Sequence, residues 1–206
     1  MLYLVLAVLT STSLLVLFKI FDSYKINTFQ CIVVNYWVCA LTGFMLLPDA
    51  SVLQNFWSQD WFPFALLLST MFLSGFWVIG MTTQKIGLTV SSIAGKTSMV
   101  LPVVAAFFLY GDTVSITKML GVFLAILAVF LTSMRDKEHI KDDLNKIYLF
   151  FPLILFIMSG SIEIILNYAQ VTYLSDVLYV PFLILLFALA GAVSYTHLTL
   201  PTIVRV

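Results

Sequence analysis

The chain has 206 residues, 62% of them hydrophobic and only 10% charged, with a formal net charge of zero. A soluble domain carries about 25% charged residues, so this composition excludes an ordinary soluble fold and makes the lipid bilayer the chain's first partner. Zero net charge also excludes a broad basic surface and leaves no reason to propose nucleic acid.

Spans of roughly 17–25 apolar residues divide the chain into six complete helices and part of a seventh, at approximately 2–18, 28–47, 61–81, 88–110, 115–133, 147–170 and 177–193. Each must be helical, because lipid cannot satisfy exposed backbone groups. The fold class is an all-α membrane protein, a transmembrane helical bundle.

The first span starts at Met1 and lacks a basic n-region and a small-residue cleavage site. It is expected to be a retained helix rather than a cleaved signal peptide. Ser11, Thr12 and Ser13 allow close helix approach; bonding to their own helix and contact with a substrate are the two further readings. Lys19, at the end, is expected to snorkel. The second span holds Cys31 and Cys39, about 12 Å apart along a helix and too distant for a disulfide. They read as packing residues, and Asn35 as the donor or acceptor of an interhelical hydrogen bond. Trp57 and Trp61 fall where an interfacial aromatic belt is expected.

The third span carries Thr70 and Ser74, then Gly75, Trp77 and Gly80. Trp77 is too deep for a belt and reads either as core filling or as an aromatic cavity wall. In the fourth, Ser92, Gly95, Lys96, Met99 and Val103 share a face by helical spacing, and Pro102 is expected to kink the helix. In the fifth, Gly121, Ala125 and Ala128 form an expected helix-packing stripe. Residues 134–146 have four basic and four acidic residues plus His139, and read as a solvated loop. The sixth span holds Ser159, Gly160, Ser161, Glu163 and Asn167, the last two one turn apart.

Lys96 and Glu163 are the two ionisable residues set well inside these spans. A cation near a bilayer centre costs about 2.5–3.5 kcal/mol on insertion scales, so it normally faces a bundle interior or a watery cavity. Pairing or snorkelling purely to fix packing is the plainer alternative for Lys96. If both helices ran the same way, the two charges would differ in depth by about 12 Å. That favours a shared polar cavity over a direct salt bridge. No Cys/His cluster has metal-ligand spacing, so neither metal nor cofactor is expected.

An internal repeat is visible at an offset of 148 residues: Ser11-Thr12-Ser13 against Ser159-Gly160-Ser161, and Ala40-Leu41-x-Gly43 against Ala188-Leu189-x-Gly191. Five helices per unit is an odd number, which forces the second copy to be inverted, as in many secondary transporters. The expected organisation is a first five-helix repeat over 1–133, the charged loop over 134–146, and the start of an inverted second repeat over 147–193. A complete pair would need roughly 296 residues and ten helices. Residues 194–206, SYTHLTLPTIVRV, differ in composition and resemble a translated sequencing-adapter read-through; they are expected to be non-native, a real polar tail being the alternative.

Gln84-Lys85-Ile86-Gly87, Ala94-Gly95-Lys96-Thr97-Ser98, Leu101-Pro102-Val103 and Gly121 resemble the EamA-type branch of the drug/metabolite transporter superfamily. Gly111-Asp112 stands where that pattern has Gly-Glu. The resemblance covers residues 1–193 and is most specific over 80–121. It implies ten helices in two inverted repeats and a central cavity, for which Ser13, Trp77, Lys96, Met99, Glu163 and Asn167 are the matching substrate-cavity candidates. It further implies a small-molecule substrate, moved by alternating access in a bacterial inner membrane. Glu163 is the candidate for proton coupling, because desolvation favours a protonated carboxyl, and dimerisation stays open.

The resemblance implies a cytoplasmic N-terminus, whereas the excess of Lys and Arg in the loops after odd helices (Lys19, Lys25, Lys85, Arg135, Lys137, Lys141 and Lys146, against Lys118) favours the opposite orientation. Within transport, a lipid-carrier or nucleotide-sugar translocator is the neighbouring alternative. A non-transport membrane subunit is the alternative if the short chain is genuine. An intramembrane enzyme is not expected, since no HExxH, GxSxG or mid-helix aspartate is present.

Overall fold

The structure, a computed structural model, describes residues 1–47, 53–109, 115–135 and 150–203. Among them are α1 (Leu2–Ser23), α2 (Thr28–Met45), a 3-10 turn at Phe56–Ser58, α3 (Phe62–Lys85), α4 (Leu88–Thr97), α5 (Val100–Leu109), α6 (Ile116–Arg135), α7 (Phe151–Tyr173) and α8 (Asp176–Ile203). The described residues include no strand. Six described stretches are long and apolar enough to cross a membrane: Leu2–Ser23, Thr28–Met45, Phe62–Lys85, Leu88–Leu109, Phe151–Tyr173 and Val177–Thr196. The chain is an all-helical, multi-span membrane protein. Gly111, Asp112 and residues 136–149, with most of the charged loop and His139, lie outside the described residues.

The fourth span is interrupted, with Ser98 and Met99 between α4 and α5. Pro102 explains the place. It has no N–H for the Ser98 carbonyl four residues back, and its ring crowds that carbonyl. The Ser98 carbonyl accepts instead from the Leu101 N–H at 2.9 Å, a tighter three-residue closure. The Thr97 hydroxyl donates to the Ile93 carbonyl and the Ser98 hydroxyl to the Gly95 carbonyl, and such back-bonds bend helices.

Two compact units account for the chain. The first comprises Met1–Thr28 and Trp77–Ser161. In it α4 packs on α6 and α1, and α5 on α6, around buried Val78, Ala94 and Leu155. Gly87 opens α4 at φ 144° and ψ 154°, a conformation essentially confined to glycine. Across this turn the buried Thr83 hydroxyl donates to the Ser91 hydroxyl at 2.9 Å. Gly160 of α7 lies against Leu101 of α5, whose Cβ would stand 2.7 Å from a Cβ at 160. Gly121 is exposed and faces open space, so the expected packing stripe on α6 is not met there. Ala125 and Ala128, the rest of that stripe, have side chains outside the described residues.

The second unit comprises Phe29–Phe76 and Ile162–Val206. Its core is Trp61, Ala65, Leu68, Ala169, Phe182 and Leu186. Trp61 is therefore a buried core residue rather than part of an interfacial belt, held edge-on to Phe182 at 5.6 Å, while Trp57 is exposed. Burial of an indole removes a large apolar surface from water, a pull strong enough to leave the Trp61 Nε1 without a hydrogen-bond partner. Among the described residues Asn35 accepts from the Cys39 thiol on its own helix at 4.0 Å, rather than making the expected interhelical bond.

α2 and α8 pack antiparallel through two glycines. A Cβ at Gly43 would stand 2.7 Å from Ile184 Cγ1, and one at Gly191 would stand 3.2 Å from the Trp37 indole. As the contact moves up α2 from 37 to 43, it moves down α8 from 191 to 184. Tyr36 stacks on Phe187 between them, with ring centroids 6.1 Å apart. α8 runs on through the tail to Ile203, with the Ser194 hydroxyl bonded to the Ala190 carbonyl.

Candidate functional site

The chemistry-bearing residue of the first unit is Lys96, in the last turn of α4. The interruption behind Pro102 ends α4 one residue later, and a cation in a final turn is favourably placed against the helix dipole. Lys96 is exposed. Its Nζ donates to Ser11 Oγ on α1 at 3.4 Å, and the Ser11 hydroxyl donates in turn to the Val8 carbonyl at 3.1 Å. Ser11 thus fills one of its expected roles, bonding its own helix, and adds another, accepting from a cation on a second helix.

The space beside this pair is open. A Cβ at Gly95 would meet nothing within 4 Å, and Met99, in the interruption, is 63% exposed. A lysine, a hydroxyl, a glycine and a thioether therefore share one accessible region of α1 and α4. Such a region suits an anionic or polar acceptor group, with the flexible methionine adapting to an apolar portion.

The expected site residues fall out differently. Lys96 and Met99 stand at the α4–α5 interruption. Ser13 is exposed on α1, but two residues on a helix lie about 200° apart, so Ser11 and not Ser13 meets Lys96. Trp77 is 43% exposed and sits edge-on to Phe151 at 6.4 Å, so it is not a buried core filler. Glu163 and Asn167 belong to the second unit and are exposed one turn apart on α7. Gln170, exposed three residues further on, extends that polar stripe and carries no charge to mark it in the sequence.

Gln84 is the other residue that the sequence reading left without a role. Its Nε2 donates to the Phe18 carbonyl of α1 at 3.0 Å and to Thr28 Oγ1, the first residue of α2, at 2.6 Å. Lys19 does not simply snorkel, since its Nζ donates to the Gln84 carbonyl at 3.3 Å, satisfying one of the last carbonyls of α3. Gly80, one turn earlier, lets the Thr28 methyl and the Phe18 ring approach, at 3.1 and 3.6 Å from where a Cβ would stand.

No family model matches the chain, and no solved structure matches it. An uncharacterized protein of Haemophilus influenzae is 33% identical over 132 residues, which are 62% of this chain and 45% of that protein. The chain thus spans less than half the length of this bacterial relative.

Proposed function

We propose that the chain is the first five-helix repeat, and the start of an inverted second one, of an EamA-type secondary transporter. It would move small metabolites or drug-like solutes across a bacterial inner membrane by alternating access. The observation that carries this reading is the Lys96–Ser11 pair at a helix interruption in mid-span. A cation placed there is costly unless it serves a polar path, and interrupted helices are where transporters build their solute sites. In this reading Lys96 attracts an anionic or carboxylated group of the solute, with Ser11 and Met99 beside it and Trp77 as an aromatic wall. Glu163 and Asn167, on the part of α7 that belongs to the other unit, are further polar candidates of that unit by itself. The role is non-catalytic.

Two further observations support it. The antiparallel α2–α8 pair exchanges Gly43 for Gly191 at the 148-residue offset, as inverted copies would. An aligned stretch of 132 residues that makes up 45% of the relative gives it a length of about 290 residues, close to the roughly 296 of two five-helix repeats.

The test is solute flux. Vesicles loaded with a bacterial metabolite extract should lose at least one small solute faster when they carry the protein. Lys96→Gln, present at equal abundance, should abolish that difference. Equal flux with Lys96→Gln would contradict the assignment of Lys96, and no flux difference for any solute would contradict transport.

A further inference from the structure

We propose that Gln84 is a latch that closes one end of the Lys96–Ser11 face, by tying the α1–α2 junction to the end of α3. The inference rests on the transport reading, since it concerns access to the same site.

Three hydrogen bonds converge on this one residue. The side-chain amide donates to the Phe18 carbonyl and the Thr28 hydroxyl, and the main-chain carbonyl accepts from Lys19. They reach α1 more than a turn before its end, the start of α2 and the end of α3, all within the first unit. The position along α1 is what matters. Ser11 and Phe18 are seven residues apart, two turns on the same face and about 10 Å of rise. On one face of α1, then, a residue touching Lys96 lies above one held by Gln84. α4 has the same polarity of arrangement: it leaves α3 at Gly87, beside the latch, and reaches Lys96 nine residues later, about 13 Å away.

The bonds have the character of a latch rather than a weld. Gln84 is only partly buried, so water can replace its partners when the junction moves away, and the net strength of each such bond is modest. The neighbouring Thr83–Ser91 bond, in contrast, is fully buried and holds α3 to α4 whichever way the junction moves. Gly80 keeps the contact free of bulk where Thr28 and Phe18 approach. A residue serving only to pack α1 on α3 would have no need to offer both amide hydrogens to two different helices.

The reporter is a cysteine at Ser11 in a Cys31→Ala, Cys39→Ala background, labelled with a membrane-impermeant maleimide from either side in right-side-out and inside-out vesicles. Gln84→Leu should raise the labelling rate roughly tenfold from the side bearing the α1–α2 connection and lower it from the opposite side. Thr28→Val, which removes one acceptor without altering α3, should shift both rates in the same directions, and Thr28→Ser should restore them. Rates unchanged in both Gln84→Leu and Thr28→Val, or raised equally from both sides as by general loosening, would overturn the latch and leave the transport reading standing. Absence of labelling from either side in every variant would overturn both.

Discussion

Gly43 and Ile184 meet so closely that a Cβ on the glycine would stand 2.7 Å from Ile184 Cγ1. The atom in the way is the first carbon beyond the branch of a β-branched side chain, which is stiff at χ1, so it swings aside less readily than a side-chain tip would. α2 and α8 touch here because one of them has no side chain, and Gly191 serves the same purpose for Trp37 at the other end of the contact.

Gly43→Ala should therefore destabilise the protein by about 1–3 kcal/mol, the usual cost of overpacking, although alanine is the better helix former. Ile184→Ala should also be destabilising, by leaving a cavity. The double variant should lose clearly less than the sum of the two, with a coupling of about 0.5–3 kcal/mol. Thermal unfolding in detergent of the four proteins reads this directly, and strict additivity would show that the close approach carries no strain.

Trp61 presents a different balance. It is 2% exposed and anchors the core of the second unit, yet its Nε1 has no hydrogen-bond partner. Trp61→Phe keeps most of the ring area and removes the unsatisfied donor, so its cost should be about 1 kcal/mol or less. Trp61→Ala should lose about 3–5 kcal/mol. Equal losses for the two would mean that the indole N–H has a role in the folded protein.

Pro102→Ala returns an N–H to the Ser98 carbonyl. α4 and α5 should then fuse into one helix, with slower amide hydrogen exchange over residues 98–102 and solute flux reduced at least tenfold. Slower exchange with undiminished flux would separate the interruption from the transport path.

The six long apolar spans of the described residues are legible from apolar run length alone, and the interruption of the fourth from Pro102, because both follow from local rules. Lys96 stood out for the same reason: a charge in an apolar run is conspicuous. What ran against the local reading depended on contacts that no single segment contains. Trp61 looked interfacial by its position at a span end, but a tertiary cluster with Phe182 and Leu186 buried it. Asn35 found its partner four residues along its own helix, and Gly121, read as a packing residue, faces open space. Gln84 carries no charge and lies at the end of a helix, so nothing in its neighbourhood announced that two other helices converge on it. That Ser11 rather than Ser13 reaches Lys96 depends on the rotation of α1, which only the packing against α4 supplies.

The most direct measurement of the central claim is the water accessibility of position 96. A Lys96→Cys protein without Cys31 and Cys39 is labelled with a membrane-impermeant maleimide from each side of the membrane, with Val16→Cys, at an exposed apolar position of α1, as the reference. An alternating-access path through the Lys96–Ser11 face requires labelling from both sides, at rates well above the reference. Labelling from neither side, or no faster than at position 16, would make Lys96 a lysine that only fixes packing and would contradict the transport account.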